Sequence, residues 1–319
     1  MTTEKAKFRV FTIKEGKEAN QLFIFMECVI VNLKSLGKIR TSETYATSLS
    51  SFKRFRKGRD MALEAVDSDT MIAYEAWLKD CGLSPNTCSF YMRNLRAVYN
   101  RAVEKGLTTQ QYPFKHVYTG VEKTVKRAVP LKTIRQIREM DLSDSPAADY
   151  ARDMFLFSFY TRGMSFVDMA YLRKKNLQGG ILSYRRRKTG QQLFIKWEKC
   201  MQEIVDKYAM PQSDYLLPII KTPCNVDARK QYIYASHNIN QSLKVIGRRL
   251  GLPLPLTMYV SRHAWASIAK SKNVPVSVIS EGLGHDSETT TRIYLASLDT
   301  LAIDKANNMI LKSLERNCG

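Results

Sequence analysis

The sequence predicts a mainly α-helical protein of two domains with one small β-hairpin. Apolar residues recur at helical spacing over most of the 319 residues, and only residues 181–197 have the character of a strand pair. A stretch punctuated by Pro, Gly and Lys divides the helical pattern into two parts, each of a size that folds as one compact domain. The expected parts are an N-terminal extension (1–17), a helical domain (18–110), a basic linker (111–130) and an α+β domain (131–319).

Four short helices are expected in the first domain. Ser42 is a plausible N-cap for the second helix. The fourth helix begins at Pro85 behind the N-cap Ser84, because a serine side chain accepts a backbone N–H and the fixed φ of proline fits the first helical position. Gly106 ends that helix. The expected ranges are about 20–36, 43–57, 69–81 and 85–105.

Eight helices and the hairpin are expected in the second domain. The strands 181–187 and 191–197 flank a Lys188-Thr189-Gly190 turn, a composition typical of turns that join antiparallel strands. The helices are expected at 131–140, 147–160, 165–172, 198–208, 236–250, 260–271, 275–282 and 299–314. The last of these is amphipathic enough to dock on a neighbouring protomer.

The chain is strongly basic, with 50 Lys and Arg residues against 30 Asp and Glu and a net charge of +20. Such an excess is typical of proteins with a polyanionic partner, because clustered cations release the counterions of a phosphate backbone. A generally basic housekeeping protein and an anionic-membrane binder are the alternatives. Because no apolar run is long enough to span a membrane and the start lacks a signal-peptide core, we expect a cytoplasmic protein. Six cysteines without metal-ligand spacing predict reduced thiols.

Positive charge is concentrated in a few segments. Five basic residues fall between Lys53 and Arg59, and nine fall within residues 171–200 against a single acidic residue. Basic surface on both domains and on the linker would let the protein clamp a DNA duplex, whereas any single cluster could be an ordinary solvated face. The candidate DNA contacts are Arg54, Arg56, Lys57, Asn86, Thr87, Tyr91, Arg93, Arg96, Lys123, Lys126, Arg127, Arg186 and Arg187.

Residues 282–294 are the strongest indication of an active site. A small-residue turn presents His285, and Tyr294 follows nine positions later in a polar, hydroxyl-rich segment where a phenol could be exposed. A tyrosine that attacks a phosphodiester needs arginines to bind the phosphate oxygens and a general acid to protonate the leaving oxygen. Such a site needs no metal or cofactor, and we expect none. The candidates for the cationic roles are Arg262, Lys188 and Arg162.

Together these segments resemble the catalytic domain of the tyrosine recombinases, the phage integrase family, and the first domain resembles the family's SAM-like core-binding domain. The resemblance covers nearly the whole chain, and the block from Leu283 to Tyr294 is its most specific part. It implies that Tyr294 attacks the DNA backbone and forms a 3′-phosphotyrosyl bond while a 5′ hydroxyl leaves, with Lys188, Arg262 and His285 around the phosphate. It also implies a homotetramer on double-stranded DNA at specific sites in the bacterial nucleoid, held together through the C-terminal helix.

Two positions depart from the family's pattern. Ser165 stands where the first catalytic arginine is usual, behind Gly163 and before Asp168, and this segment resembles integrases of conjugative transposons. Either Arg162, one helical turn earlier, reaches the same phosphate, or Ser165 donates a weaker hydrogen bond to it. Tyr259 stands where a histidine is usual, and a phenol is a poor general base near neutral pH. The group that deprotonates the nucleophile therefore stays open.

The sequence thus predicts a site-specific recombinase that integrates, excises or inverts a mobile or invertible element. About 17 residues precede the first predicted helix, and we expect no separate arm-binding domain there. Because of the substitutions at Ser165 and Tyr259, a catalytically impaired relative that binds and bridges DNA is one alternative. A type IB topoisomerase-like relaxase, which shares the chemistry, is another. The remaining histidines and one tryptophan are expected to be structural: His116, His237, His263 and Trp265.

Overall fold

The computed structural model describes residues 20–122, 128–221 and 226–296, together with residues 307, 310 and 311. The chain divides into two compact units, residues 1–123 and 124–319. The described residues contain no helix that is both long enough and apolar enough to cross a membrane.

Four α-helices build the described part of the first unit. Their inner faces share one core, in which the fully buried rings of Phe52 and Tyr74 meet edge to face at 4.9 Å. The Tyr74 hydroxyl donates to Ser51 Oγ at 2.8 Å, so the polar end of this ring is satisfied inside the core. The helices are α1 (Leu22–Ser35), α2 (Ile39–Phe55), α3 (Ser68–Asp80) and α4 (Pro85–Glu104).

The helix ends of the first unit confirm one predicted cap and correct another. Ser84 accepts the backbone N–H of Thr87 at the start of α4, as predicted. Ser42 is not an N-cap, because α2 begins a turn earlier and the Ser42 hydroxyl donates to the carbonyl of Ile39 at 2.7 Å. A serine can occupy a helix interior in this way, by bonding back to the preceding turn.

Residues 111–122, expected as part of the basic linker, pack against the helices of the first unit. Phe114 and Val117 are buried in its core, and Ser89 Oγ donates to the carbonyl of Gly120 at 2.5 Å. The basic residues proposed farther along this segment, Lys123, Lys126 and Arg127, lie outside the described residues.

The second unit combines eight helices with a three-stranded antiparallel sheet in the order β1-β2-β3 within its described ranges. Leu182 pairs with Ile195 and Tyr184 with Leu193, and these four side chains form the buried face of the sheet. The strands are β1 (Leu177–Gln178), β2 (Ile181–Arg185) and β3 (Gln192–Lys196). The helices are α5 (Leu131–Glu139), α6 (Pro146–Tyr160), α7 (Phe166–Ala170), α8 (Lys199–Lys207), α9 (Ala228–Arg249), α10 (Met258–Ser271), α11 (Val276–Leu283) and α12 (Glu288–Ala296).

Two elements of this unit were not predicted, and one was predicted too short. The two-residue strand β1 is too short to show alternation. Helix α9 begins eight residues before the predicted start, because Asp227 caps it by accepting the backbone N–H groups of Arg229 and Lys230. Helix α12 was not predicted, because its segment is polar and its threonines have modest helix propensity. Of the predicted helix 299–314, only three residues are described.

Helix α6 is the centre of the second unit and packs against α5, α8, α9 and α10. A separate small cluster of buried residues joins the last three helices of the described chain. Ala266 of α10, Ile279 and Leu283 of α11, and Leu295 of α12 form this cluster, and Tyr294 packs against it. The cluster thereby fixes Tyr294 beside the polar residues of α10.

Candidate active site

Arg262 lies near the N-terminus of α10, where two backbone carbonyls hold its guanidinium. Its side chain is 3% exposed, and it donates to the carbonyl oxygens of Gly163 at 2.8 Å and Leu283 at 2.6 Å. Gly163 has φ +73°, and a Cβ there would stand 2.7 Å from Arg262 Cα, so only glycine fits this approach. Burial lowers the pKa of the Arg262 guanidinium, and the nearby positive charge of Arg186 lowers it further.

Arg186 is a second buried guanidinium beside Arg262, although the sequence suggested a surface contact with DNA. It is 7% exposed and donates to the carbonyl of Gly284 at 2.5 Å. The Nε atoms of Arg186 and Arg262 are both buried, and neither has a hydrogen-bond partner in the described part of the chain. Two adjacent buried cations with unused donors are costly unless an anion accepts from them. The pair therefore forms a candidate anion site.

The β2–β3 hairpin is docked on the turn that follows α11. Gly284 ends that helix with φ +64°, and a Cβ there would lie 2.9 Å from Leu193 Cδ1 and 3.2 Å from Arg186 Cδ. Thr189 Oγ1 at the hairpin tip donates to the carbonyl of Gly284 at 3.4 Å. The adjacent Lys188 is exposed, and its charge is among those that lower the pKa of His285, so the predicted lysine and histidine share one site.

His285 is held as a neutral imidazole in one tautomer. Its Nε2 lies 3.2 Å from Arg262 Nη2, and its Nδ1 lies 2.8 Å from Thr291 Oγ1. Because arginine only donates, Nε2 accepts, and Nδ1 carries the proton that it donates to Thr291. Burial lowers the pKa of His285 to about 4, and the positive charges of Arg262, Arg186 and Lys188 contribute. The Thr291 hydroxyl in turn donates a hydrogen bond to Ser280 Oγ at 2.9 Å.

Tyr294 reaches this site from α12, but its phenol is partly buried rather than exposed. Its hydroxyl lies 2.5 Å from His263 Nδ1, and the two rings stack at 5.1 Å with an interplanar angle of 20°. The His285 ring lies 5.7 Å away. Burial raises the pKa of Tyr294 and the nearby Tyr259 raises it further, whereas Arg262 lowers it. His263 was predicted to be structural, and its position directly after Arg262 is the sequence signal for its place beside Tyr294.

Ser165 and Tyr259 line one cleft of about 330 Å³ together with Arg262. Ser165 is the N-cap of α7: it donates to Asp168 Oδ2 at 2.7 Å and accepts from the backbone N–H of that residue. The other oxygen of Asp168 accepts the backbone N–H of Arg187 at 2.9 Å, which ties α7 to the hairpin. Tyr259 is 54% exposed and sets its ring edge-on to His263 at 4.6 Å.

The Arg162 side chain contacts β3. Its backbone has φ +61°, which is unusual for a non-glycine residue, and its Nη1 donates to the carbonyl of Phe194 on β3 at 3.3 Å. This contact is exposed to solvent, whereas the Arg262 and Arg186 guanidinium groups are buried. Arg162 therefore binds the hairpin through the backbone of β3.

The other candidate DNA contacts are mostly exposed. On α4, Arg93 and Arg96 are exposed, and Tyr91 and Thr87 are partly buried. Asn86 is occupied, because its side-chain amide exchanges two hydrogen bonds with the backbone of Glu122, at 2.8 and 3.0 Å. Of the remaining described candidates, Arg54, Lys57 and Arg187 are exposed, and Arg56 is partly buried. The Arg54 guanidinium lies over the Trp77 ring, and that of Arg187 lies over the Tyr171 ring.

Comparisons with known proteins agree with this architecture. The model of the phage integrase SAM-like domain matches residues 21–117, and that of the phage integrase family matches residues 131–300. The tyrosine recombinase XerD of Pseudomonas aeruginosa is 21% identical over 264 residues, which are 80% of this chain and 85% of the relative.

Solved structures share the fold at low sequence identity. A lambda integrase dimer bound to a COC′ core site matches with TM-score 0.65 and 17% identity over 86% of this chain and 77% of that one. The XerH recombinase bound to its palindromic difH substrate matches with TM-score 0.65 and 16% identity over 93% and 90%. The Tn1549 transposon integrase in complex with a circular intermediate DNA matches with TM-score 0.62 and 14% identity over 86% and 94%.

Proposed function

This chain belongs to the phage integrase family of tyrosine recombinases, the DNA strand transferases of site-specific recombination, and we propose that Tyr294 is its nucleophile. In this proposal the Tyr294 hydroxyl attacks a backbone phosphorus and forms a 3′-phosphotyrosyl bond while the 5′ oxygen leaves. The observation that carries the proposal is the meeting of this phenol with His285 and two buried guanidinium groups.

The scissile phosphate is proposed to bind between Arg262 and Arg186. Both groups offer a buried Nε that has no partner among the described residues, and a guanidinium fork matches two phosphate oxygens. Negative charge that develops on these oxygens in the transition state would be met by donors already in place. In this proposal Arg186 takes the second phosphate-binding role, for which Arg162 and Ser165 were the candidates. Arg162 instead bonds to β3, and Ser165 bonds to Asp168.

Lys188 is proposed as the general acid for the leaving 5′ oxygen. Its ammonium is exposed at the hairpin tip, on the same side as His285, and its stem is long enough to follow the DNA strand. Because the phosphotyrosyl ester conserves the energy of the phosphodiester, the strand is rejoined by the reverse reaction without a nucleotide cofactor.

The biological task that we propose is integration, excision or inversion of a mobile or invertible DNA element. The similar structures include a lambda integrase on a core site, a transposon integrase on a circular intermediate and a lambda integrase tetramer on a Holliday junction. By analogy, we propose that four copies of this chain assemble on two DNA sites. Docking through the C-terminal helix, expected at 299–314, is part of this proposal, and that helix lies largely outside the described residues.

The test is covalent capture of DNA. The protein is incubated with a library of nicked duplexes, non-covalent complexes are removed with detergent, and the attached DNA is sequenced. We expect adducts on one family of sites, with the attached nucleotide mapped to Tyr294 by mass spectrometry, and no adduct from Tyr294→Phe. Tyr45→Phe, a buried tyrosine of the first unit, is the control and keeps the adduct.

Three results would contradict the proposal. An undiminished adduct in Tyr294→Phe would place the nucleophile elsewhere. Specific binding without any adduct would identify a catalytically impaired relative. Relaxation of supercoiled plasmid without sequence preference would identify a type IB topoisomerase-like enzyme.

A further inference from the structure

The proposed function leaves one step without a residue, which is the removal of the proton from the nucleophile. Resting on that function, we infer that His263 is the general base for Tyr294. Its Nδ1 lies 2.5 Å from the Tyr294 hydroxyl, which is within hydrogen-bond distance. A candidate base has to be within this reach of the proton it abstracts, and His263 meets that condition.

The imidazole of His263 is fixed in place by its surroundings. The side chain is 6% exposed and lies between two phenol rings, with Tyr259 edge-on at 4.6 Å and Tyr294 stacked at 5.1 Å. Tyr259 and His263 are four residues apart on α10, so one helix face presents both. A base held in this way loses little conformational freedom when the reaction begins.

Two other titratable residues of the site, His285 and Asp168, already use their polar atoms in hydrogen bonds. His285 uses Nε2 to accept from Arg262 and Nδ1 to donate to Thr291. The carboxylate of Asp168 accepts from the Ser165 hydroxyl and from the backbone of Arg187. Tyr259 has a phenol, and a phenol is a weaker acceptor of a proton than an imidazole near neutral pH.

The burial of Tyr294 makes a base necessary. Burial raises the pKa of this phenol above its ordinary value, so at neutral pH almost none of it is ionised. In cleavage, the Tyr294 O–H bond breaks as its proton passes to His263 Nδ1, the bond from Tyr294 Oη to phosphorus forms, and the phosphorus–O5′ bond breaks. The 5′ oxygen takes a proton from Lys188. In rejoining, the 5′ hydroxyl returns its proton to Lys188 and attacks phosphorus. The bond from phosphorus to Tyr294 Oη breaks, and the tyrosine recovers its proton from the His263 imidazolium.

The experiment separates the base from the acid by changing the leaving atom. Single-turnover cleavage is measured on the captured site and on a duplex whose scissile 5′ oxygen is replaced by sulfur, because a thiolate leaves without protonation. The variants are His263→Asn, His263→Ala, Lys188→Ala and Tyr294→Phe. An asparagine amide oxygen can accept the tyrosine hydrogen bond near the position of Nδ1, but it cannot take the proton.

On the oxygen substrate, we expect His263→Asn and Lys188→Ala each to lower the cleavage rate by about 10²- to 10⁴-fold. On the sulfur substrate, Lys188→Ala should return to within a few-fold of the unmodified protein, whereas His263→Asn stays slow. A His263→Asn variant that cleaves the oxygen substrate at the full rate while His263→Ala does not would overturn the inference and leave His263 a positioning residue. Rescue of His263→Asn by sulfur would overturn it in favour of a role at the leaving group.

A second measurement does not depend on how well a His263 variant folds. The ¹⁵N spectrum of the unsubstituted protein is expected to show His263 Nδ1 as an unprotonated, hydrogen-bonded nitrogen whose shift changes in Tyr294→Phe. A proton bonded to Nδ1 in both proteins would rule out the base. If Tyr294→Phe abolishes the adduct and His263→Asn has no effect, the inference fails and the proposed function stands. If Tyr294→Phe keeps the adduct, the proposed function fails first.

Discussion

Arg186 and Arg262 place two buried positive charges side by side, and their own bonds to the protein do not use all their donors. Arg186 holds the carbonyl of Gly284, and Arg262 holds those of Gly163 and Leu283. Both keep a buried Nε without a partner in the described chain. At the scale of single residues, this pair is the feature that supports the proposed phosphate site over a merely basic surface.

Replacing Arg186 with lysine is expected to slow DNA cleavage by about 10²- to 10³-fold at saturating DNA, the usual cost of losing one preorganised donor. Lysine keeps the charge and can reach the carbonyl of Gly284, but it lacks the planar fork. Single-turnover cleavage on a captured site measures the effect. Arg187→Ala is the matched control, because Arg187 is the exposed neighbour and its loss should weaken binding while leaving the saturated rate within a few-fold. Equal rates for Arg186→Lys and the unsubstituted protein would exclude Arg186 from the site.

The neutral His285 gives a prediction about pH. Its pKa in the folded chain is about 4, below the ordinary histidine value of about 6.5, so the unfolded chain binds the extra proton first as the pH falls. Its contribution to stability is therefore fully present above about pH 6.5 and is lost as the pH falls towards 4. Denaturant unfolding across this range should show a shallower loss of stability in His285→Gln, and a histidine NMR titration should give the low pKa directly. A His285 that titrates near 6.5 in the folded protein would contradict the assignment.

At the scale of elements, the docking of the hairpin on the α11–α12 turn assembles the site. The β2–β3 hairpin supplies Arg186 and Lys188, and the turn supplies His285. Contact occurs at Gly284, whose missing side chain makes room for Leu193 and Arg186. The N-cap of α7 supports the hairpin from the other side, through Asp168 and the backbone of Arg187.

Gly284→Ala is expected to lower both stability and cleavage. An alanine at φ +64° costs about 1–2 kcal/mol of backbone strain, and its Cβ would also press on Leu193 at 2.9 Å, which adds about 1–3 kcal/mol. Gly251→Ala is the matched control, because Gly251 has φ +63° with nothing within 4 Å of an added Cβ. Urea unfolding of the two variants separates the shared strain from the contact, and equal losses would mean that the hairpin does not press on this turn.

At the scale of the whole molecule, the net charge of +20 favours a polyanionic partner, and the number of phosphates neutralised is expected to set how binding depends on salt. Exposed arginines such as Arg93 and Arg96 on α4 are proposed to neutralise phosphates, and each neutralised phosphate releases condensed counterions. This contribution does not read sequence, so it adds affinity for all DNA alike.

Removing Arg93 or Arg96 is expected to reduce the slope of log affinity against log salt by about 1 each, with similar losses on specific and nonspecific duplexes. Fluorescence anisotropy titrations at several salt concentrations measure the slope. Arg249→Ala serves as control, because Arg249 already makes two hydrogen bonds to Asp144, at 2.7 and 3.1 Å. An unchanged slope in both α4 variants would remove this helix from the DNA-binding surface.

Local signals in the sequence were sufficient for most elements of the fold. The Ser84-Pro85 start of α4, the hairpin around Lys188 and the main helices of the second unit follow from caps, periodicity and turn residues, which act within a few positions of the chain. The same signals failed at α12 and the first two turns of α9, where a polar composition hides a helix that tertiary contacts and the Asp227 cap stabilise.

The sequence by itself predicted the family, the polyanionic partner and most of the candidate site residues, because these depend on residue type and on order along the chain. Only the tertiary structure decided how they are arranged. It buried Arg186, bonded Arg162 to β3 and brought His263 to the Tyr294 hydroxyl. These outcomes depend on contacts between residues that are 31 to 98 positions apart, as in His263–Tyr294 and Arg186–Gly284, and no local pattern specifies such contacts.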